Sequence, residues 1–496
     1  MSQIEAATAD MALSRPADSR LKICWRAHSY ILPSFGLAII VWCWFVTAGS
    51  WHFFQQEDFC GFYDAYARSI IHGHFDVPRS AIGAEAFTFQ GKTYGYFGIG
   101  PALLRIPLIL LFPEMDGLWS RVMILIAAAI SLVCAYVLLR MFRGDSPLTN
   151  TERLLHSIFI VSAAIGSSVV FLISRSYTYH EALMWSGAFA LLFACAIGRY
   201  FARPRPGLLL LAGLFSFMSF HCRPTVGAGA LLAMTTVAAI LILRARIKPD
   251  FAQRIFGFAK VVRPFHHALL TVVTVFFTVG IYFGVNYAKF RTFDGVPLRY
   301  YDFYHQFPIR MRVTGGKQVH LQNIPTAVAT YFGLHGFTFT RQFPWFHLEE
   351  EETVIGWPRN DLIEPFSTVP VSMPALTLLA VIGAATLVSA TDEKFRRARL
   401  AAVTLFAGGG IMLASVGITE RYLHDFYPAL IVAAAAGVSR IGSNRHLRLV
   451  TAVAALLALM SIVLNCSFSL INQRERSEAP VGEVFEYERL QEKLVC

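Results

Sequence analysis

Charge is scarce in this chain. Only 15% of its 496 residues are Asp, Glu, Lys or Arg, against about 25% in soluble domains. Hydrophobic residues make up 55%, and the mean hydropathy is +0.51. A string of soluble domains is excluded by that balance. The eight cysteines form no CxxC pair, and Cys43, Cys134 and Cys195 lie inside apolar runs. They read as packing residues, which speaks against a zinc or dithiol site. There is no Gly-rich phosphate loop, no internal repeat and no low-complexity tract. The missing repeat speaks against a duplicated transporter.

What is present is apolar sequence in long blocks. A helix needs about 20 apolar residues to cross the hydrocarbon. Spans are expected near 29–50, 118–140, 154–173, 180–200, 207–221, 224–243, 266–287, 370–390, 400–418, 424–439 and 449–469. The expected fold is therefore an all-α polytopic membrane protein of about eleven spans. Residues 99–112 are apolar but short and broken by Pro101 and Pro107, which suits a re-entrant or interfacial element.

The net charge of +11 is not a nucleic-acid signature, because the cations cluster at helix ends on one side. That side holds Arg15, Arg20, Lys22 and Arg26, then Arg140, Arg143 and Arg153, then Arg199, Arg203 and Arg205. It continues with Arg244 to Arg263, Lys394 to Arg399 and Arg440 to Arg448. The short turns of the other side carry Arg175, Arg223 and Arg421. The positive-inside rule then sets the N-terminus inside and the C-terminus outside. The polar segment 1–28 is expected to be a cytoplasmic tail before a retained first span, and 470–496 an outer tail with a short helix. Residues 29–469 form the membrane domain, with long outer loops at 51–117 and 288–369.

Both loops are rich in aromatic residues, which argues for folded structure. Residues 323–339 of the second are expected to form an amphipathic element on the membrane. The first opens with acid at a membrane exit: Glu57, Asp58 and, six residues on, Asp64. Such acid is costly unless solvated or used. Phe62, Tyr66, Ser69 and Ile70 then share a helical face, and Lys92 to Phe97 reads as a hairpin. Glu57 and Asp58 also suit capping of that helix, and Asp64 is expected to pair with Arg68.

From Asp58 the spacing runs to Gly73, Phe75 and Pro78, then to Tyr96 and Pro101 in the segment Gly98-Ile99-Gly100-Pro101. This order resembles the GT-C superfamily of integral-membrane glycosyltransferases, nearest in pattern to the protein O-mannosyltransferase and aminoarabinose transferase type. It departs in placing Glu57 before Asp58 and in lacking a Pro-Pro jaw. The resemblance covers the N-terminal third and scattered loop positions. It implies inverting transfer of a sugar from a polyprenyl-phosphate donor to a glycan, lipid or protein acceptor of the cell envelope. It implies an inner-membrane enzyme with a periplasmic site, and membrane lipids as its surroundings.

The resemblance makes Asp58 the catalytic base, with Glu57 or Asp64 as its orienting partner. An acceptor hydroxyl is a poor nucleophile, and a placed base contributes ~10²–10⁴-fold. Arg421 with Tyr422, in the turn Thr419–Pro428, would meet the lipid phosphate, since a guanidinium fork suits a leaving phosphate. A surface pairing of Arg421 with Glu420 or Asp425 remains the alternative. Arg175 and Lys92 are further phosphate candidates. His180, Glu181, Tyr94, Tyr96, His424 and Arg223 are candidate substrate contacts. His180 and Glu181 equally suit an interfacial belt. No cofactor is required on this reading. A divalent ion on Glu57, Asp58, Asp64, His72, His74 and Asp76 is a remote alternative, since their spacing fixes no coordination geometry. The rival classes are a transporter or lipid-linked-glycan flippase, and an O-antigen ligase or polymerase.

Overall fold

The computed structural model describes residues 28–56, 59–144, 146–243, 250–341, 343–442 and 446–474. Glu57 and Asp58 lie outside the described residues, as do the expected N-terminal tail 1–27 and the outer tail from 475 onward.

Eight described helices are long and apolar enough to cross a membrane: Ser29–Thr47, Ser120–Arg143, Asn150–Ile173, Thr178–Ala202, Pro224–Leu243, Pro264–Phe290, Glu393–Ala414 and Leu447–Gln473. Pro206–Cys222, Pro374–Ser389 and Tyr427–Ile441 are shorter and occupy the three remaining expected spans. The chain is an all-α polytopic membrane protein. Gly100–Leu111, with Pro107 inside it, has only 12 residues, about 18 Å of helix, too short to cross.

Helix starts follow the local sequence. Thr149 and Glu152 form a capping box for Asn150–Ala164, each satisfying an orphan amide. Proline stands in the first turn of Pro206–Cys222, Pro264–Phe290, Pro374–Ser389 and Tyr427–Ile441, where its missing N–H costs nothing. One boundary differs from expectation. The segment 394–399 was expected to be a loop before a span at 400–418. The helix instead begins at Glu393 and ends at Gly410. Lys394, Arg396, Arg397 and Arg399 occupy its first turns because long basic side chains can carry their heads toward water.

Pro374–Ser389 packs closely along Tyr427–Ile441. A Cβ on Gly383 would lie 1.7 Å from the Ala433 carbonyl oxygen, and one on Gly437 would lie 2.1 Å from that of Leu379. Small residues let helices approach closely in lipid, where no hydrophobic force joins them. Basic segments meet at one end of the bundle. Arg396 and Arg399 donate to the carbonyls of Arg254 and Ile255 at 3.0 Å each, and Phe142 stacks on Phe395.

The first loop forms the expected helix, but its hairpin lies at 87–94 instead of the expected 92–97. Phe62–Ile71 is a helix with Phe62, Tyr66 and Ser69 buried. Phe87–Phe89 pairs antiparallel with Lys92–Tyr94. The turn residues Gln90 and Gly91 both have positive φ, 52° and 75°, the geometry that matches strand twist in a two-residue hairpin. The Gly98-Ile99-Gly100-Pro101 segment lies flat on the end of Pro206–Cys222. A Cβ on Gly98 would meet the His221 carbonyl oxygen at 1.9 Å. In the second loop, only Ile324–Phe332 of the amphipathic element expected over 323–339 is helical, and Thr338–Phe339 is a strand.

Candidate functional site

The N-terminus of Thr178–Ala202 organises this end of the molecule. Arg175 and Tyr177 precede it and His180 lies in its first turn. These three border a cavity of about 570 Å³. The rest of its wall comes from the second loop (His347, Leu348, Glu350, Glu364, Pro365), from Thr419 and Arg421, and from Phe171, Ile471 and Asn472.

Hydrogen bonding explains how so distant a loop reaches Arg421. Leu362 and Ile363 pair in parallel with Gly417 and Ile418. The Glu364 amide donates to Ile418 O at 2.8 Å. Glu349 and Phe366 exchange backbone bonds at 2.9 and 2.8 Å. The Tyr331 hydroxyl accepts from the Thr419 amide at 2.9 Å. Glu364 is thereby carried to Arg421 and binds it with both carboxylate oxygens, Nη1–Oε2 at 2.6 Å and Nη2–Oε1 at 3.1 Å. Burial alone would raise Glu364, but the Arg421 guanidinium beside it holds its carboxyl below the usual range. The Arg421 guanidinium also lies 4.9 Å from the Tyr179 ring centre and 5.7 Å from that of Tyr422.

The expected alternatives for Arg421, Glu420 and Asp425, are engaged elsewhere. Glu420 is fully buried and accepts from the Ser367 amide, and burial pushes its carboxyl up to about 8. Asp425 accepts from Arg223 Nε at 2.9 Å and from the Thr225 hydroxyl at 2.5 Å. Arg223 in turn lies 5.0 Å from the Tyr422 ring centre.

His180 Nδ1 faces two carbonyl oxygens, Arg175 O at 2.8 Å and Leu172 O at 3.0 Å. A carbonyl only accepts, so Nδ1 carries the proton. Nε2 is then the ring's lone-pair nitrogen, on a side chain that borders the cavity. Two guanidiniums, a helix N-terminus with its partial positive charge and an imidazole together suit an anionic ligand bearing hydroxyl groups.

The first loop is tied to this same corner. The Thr178 hydroxyl donates to Phe59 O, Cys60 Sγ to Ser176 O at 2.9 Å, and the Ser120 hydroxyl to Cys60 O at 2.7 Å. On the other flank, Arg121 donates to His52 O and to Gln55 Oε1. Glu57 and Asp58 are outside the description, but both flanks of the pair are anchored on the N-terminal ends of two long helices. Phe59 itself has φ of 55°, in the left-handed region that a bulky residue rarely enters.

The structure brings Arg175, His180 and Arg421 onto one cavity, with Tyr422 against Arg421. It sends the other candidates elsewhere. Glu181 is fully buried and bonds Arg105 at 2.8 Å. His424 is fully buried, with Nδ1 3.0 Å from the Ser168 hydroxyl and its ring stacked on Tyr427. Lys92 pairs with Asp76 at 3.1 Å on an exposed hairpin. Tyr94 packs on Phe290 beneath that hairpin. Tyr96 stacks on Phe97 and reaches the edge of Tyr179. Asp64, expected to pair with Arg68, instead faces Arg105 Nε at 3.4 Å, while Arg68 pairs with Asp116. The helical turn sets this choice, since Asp64 is wholly buried and Arg68 points outward. Among the described residues, no three His, Cys, Asp or Glu side chains gather as a metal cluster.

Glu364, His347 and Glu350 were not foreseen. They sit in a loop without periodicity, and only the acid-rich run Glu349–Glu352 marks it. Arg299, Arg310, Arg312, Lys317 and Arg341, five of the loop's cations, do not border the cavity.

No protein-family model matches the chain, and no curated protein matches it. Among solved structures, it is similar to the oligosaccharyltransferase AglB of Archaeoglobus fulgidus in complex with an inhibitory peptide and a dolichol-phosphate. That likeness has 12% identity and a TM-score of 0.46, over 92% of this chain and 56% of the other. The apo form of the Archaeoglobus fulgidus enzyme gives 14% and 0.46, over 94% of this chain and 60% of the other. ArnT of Cupriavidus metallidurans bound to undecaprenyl phosphate gives 12% and 0.44, over 90% and 76%. The chain thus spans about three-fifths or less of the archaeal enzymes it matches. Scores this low carry no weight for activity.

Proposed function

We propose that this chain is a GT-C-type membrane glycosyltransferase. It moves a sugar from a polyprenyl-phosphate donor to a cell-envelope acceptor, with inversion at the sugar carbon. The observation that carries the reading is the cavity where Arg421 and Arg175 meet His180, beside the anchored flanks of the Glu57–Asp58 pair. The sequence resemblance supplies the donor class.

Asp58 takes the proton of the acceptor hydroxyl as its oxygen attacks the anomeric carbon. The bond from that carbon to the phosphate oxygen breaks, and the lipid phosphate leaves with the electron pair. Glu57 orients Asp58. Arg421 and Arg175 receive the growing negative charge on the phosphate, where a placed donor is worth most. Glu364, on the same cavity wall, holds both arms of the Arg421 fork, and an arriving phosphate displaces one of these two hydrogen bonds. His180 Nε2 and the loop residue His347 hold sugar or acceptor hydroxyls. The basic ends of the bundle, cytoplasmic by the positive-inside rule, support a cavity on the periplasmic side of an inner membrane.

The test is transfer of labelled sugar from a panel of polyprenyl-phosphate sugars by the purified protein in liposomes. Transfer to an envelope acceptor, lost in Arg421→Ala, is the expected result. Movement of the labelled lipid across the bilayer with no transfer would overturn the reading.

A further inference from the structure

A second cavity, of about 440 Å³, opens at the other end of the Thr178–Ala202 helix. His180 and Arg199 are 19 positions apart, so about 28 Å of helix separates the two cavities. That is close to the ~30 Å of a hydrocarbon core. The second cavity therefore lies at the opposite membrane surface from the first.

Its chemistry is of one sign. Arg199, Arg203, Arg205, Lys394 and Arg397 border it, and no acidic residue does. Glu393, next to Lys394, is held by Arg397. Arg203 and Arg205 are exposed, and among the described residues no hydrogen bond or ion pair engages the side chains of Arg199, Arg203 or Arg205. The interior is apolar, walled by Leu138, Met141, Phe142, Leu208 and Val432. A cationic rim over an apolar floor, between membrane-spanning helices, matches an amphiphile with an anionic head. A soluble anion would leave the floor uncovered.

We propose that this cavity binds an anionic phospholipid of the adjoining leaflet. The phosphate sits among Arg199, Arg203 and Arg205, and the first part of one acyl chain enters between Leu138, Met141 and Val432. Basic pockets between membrane helices recognise lipid headgroups through this combination. Gly198 lies in the cavity wall beside Met141. A Cβ there would meet only the Met141 terminal methyl, at 2.9 Å, a flexible end that can move aside.

The test is native mass spectrometry of the delipidated full-length chain. It is titrated in turn with phosphatidylglycerol, cardiolipin, phosphatidylcholine and inorganic phosphate. An adduct with phosphatidylglycerol or cardiolipin, at least tenfold tighter than with phosphatidylcholine, is expected. Arg199→Gln with Arg203→Gln and Arg205→Gln should weaken it at least tenfold. Gly198→Leu leaves every charge in place and should weaken it several-fold by filling the floor. The matching triple lysine variant should keep most of the binding. Equal adducts in the glutamine variant and wild type, or equal binding of phosphatidylcholine, would overturn the proposal. So would displacement of the lipid by millimolar inorganic phosphate with Gly198→Leu unaffected, which would mark a soluble anion as the ligand.

Discussion

Two arginine–carboxylate clusters sit at the same end of the Thr178–Ala202 helix, in opposite surroundings. Arg105, Asp64 and Glu181 are 0% exposed, with Arg105 bridging the two acids. Burial raises the Asp64 carboxyl, and Arg105 pulls against that shift. Arg421 and Glu364 are 17% and 32% exposed on the wall of a cavity. The first cluster has no room for a ligand and ties the Phe62–Ile71 and Gly100–Leu111 helices to the bundle. The second forms part of a cavity wall, where a ligand can reach the guanidinium. Identical residue types serve packing in one place and are available for chemistry in the other. Burial, rather than charge or sequence neighbourhood, separates them.

The sharpest way to break this comparison is to remove each arginine and compare folding with turnover. Arg105→Ala leaves two buried carboxylates without a counter-charge. It should cost about 3–5 kcal/mol of stability, read from denaturant unfolding in micelles. Combining Arg105→Met with Asp64→Leu and Glu181→Leu should restore most of that loss, because an apolar triad of similar volume needs no desolvation. Arg421→Ala should leave unfolding nearly unchanged and lower sugar transfer roughly 10²–10³-fold. If Arg105→Ala is silent in unfolding, or Arg421→Ala unfolds the protein, the assignment of the two clusters is reversed.

A third buried acid sharpens the contrast further. Glu420 is raised to about 8, well above an ordinary glutamate near 4.3. The folded chain therefore holds a proton there that the unfolded chain releases. Its contribution to stability is complete below the unfolded value and is lost as pH rises through about 8. Glu420→Gln keeps an acceptor for the Ser367 amide and cannot ionise. It should match wild type in thermal unfolding near pH 5 and exceed it by a few degrees near pH 9. The smallest effect is expected at Lys92, whose exposed pair with Asp76 is worth below about 1 kcal/mol. Lys92→Ala should leave both unfolding and sugar transfer within twofold of wild type.

The bundle was legible because lipid imposes long apolar runs, and the runs expected at 118–140 and 266–287 survive as Ser120–Arg143 and Pro264–Phe290. The hairpin was legible only in its second strand: expected over 92–97, it spans Phe87–Tyr94, with its turn at Gln90-Gly91, ahead of the expected segment. The first loop's helix announced itself through Phe62, Tyr66 and Ser69. What stayed hidden was partnership. Glu181 finds Arg105 across 76 positions, and Arg421 finds Glu364 across 57. No local pattern encodes such a pairing, because strand pairing of Leu362 and Ile363 with Gly417 and Ile418 delivers it. His424 and Tyr94 looked available for the same reason. Their positions at an outer turn and a hairpin gave no sign of the packing on Tyr427 and Phe290 that encloses them.

The central claim is that Asp58 takes a proton from an acceptor hydroxyl in a sugar transfer. The most direct measurement compares initial rates of wild type and Asp58→Asn with a polyprenyl-phosphate sugar donor, in preparations with matched unfolding curves. The account predicts a fall of ~10²–10⁴-fold, since asparagine keeps the shape and cannot accept the proton. Equal rates in the two proteins would contradict it.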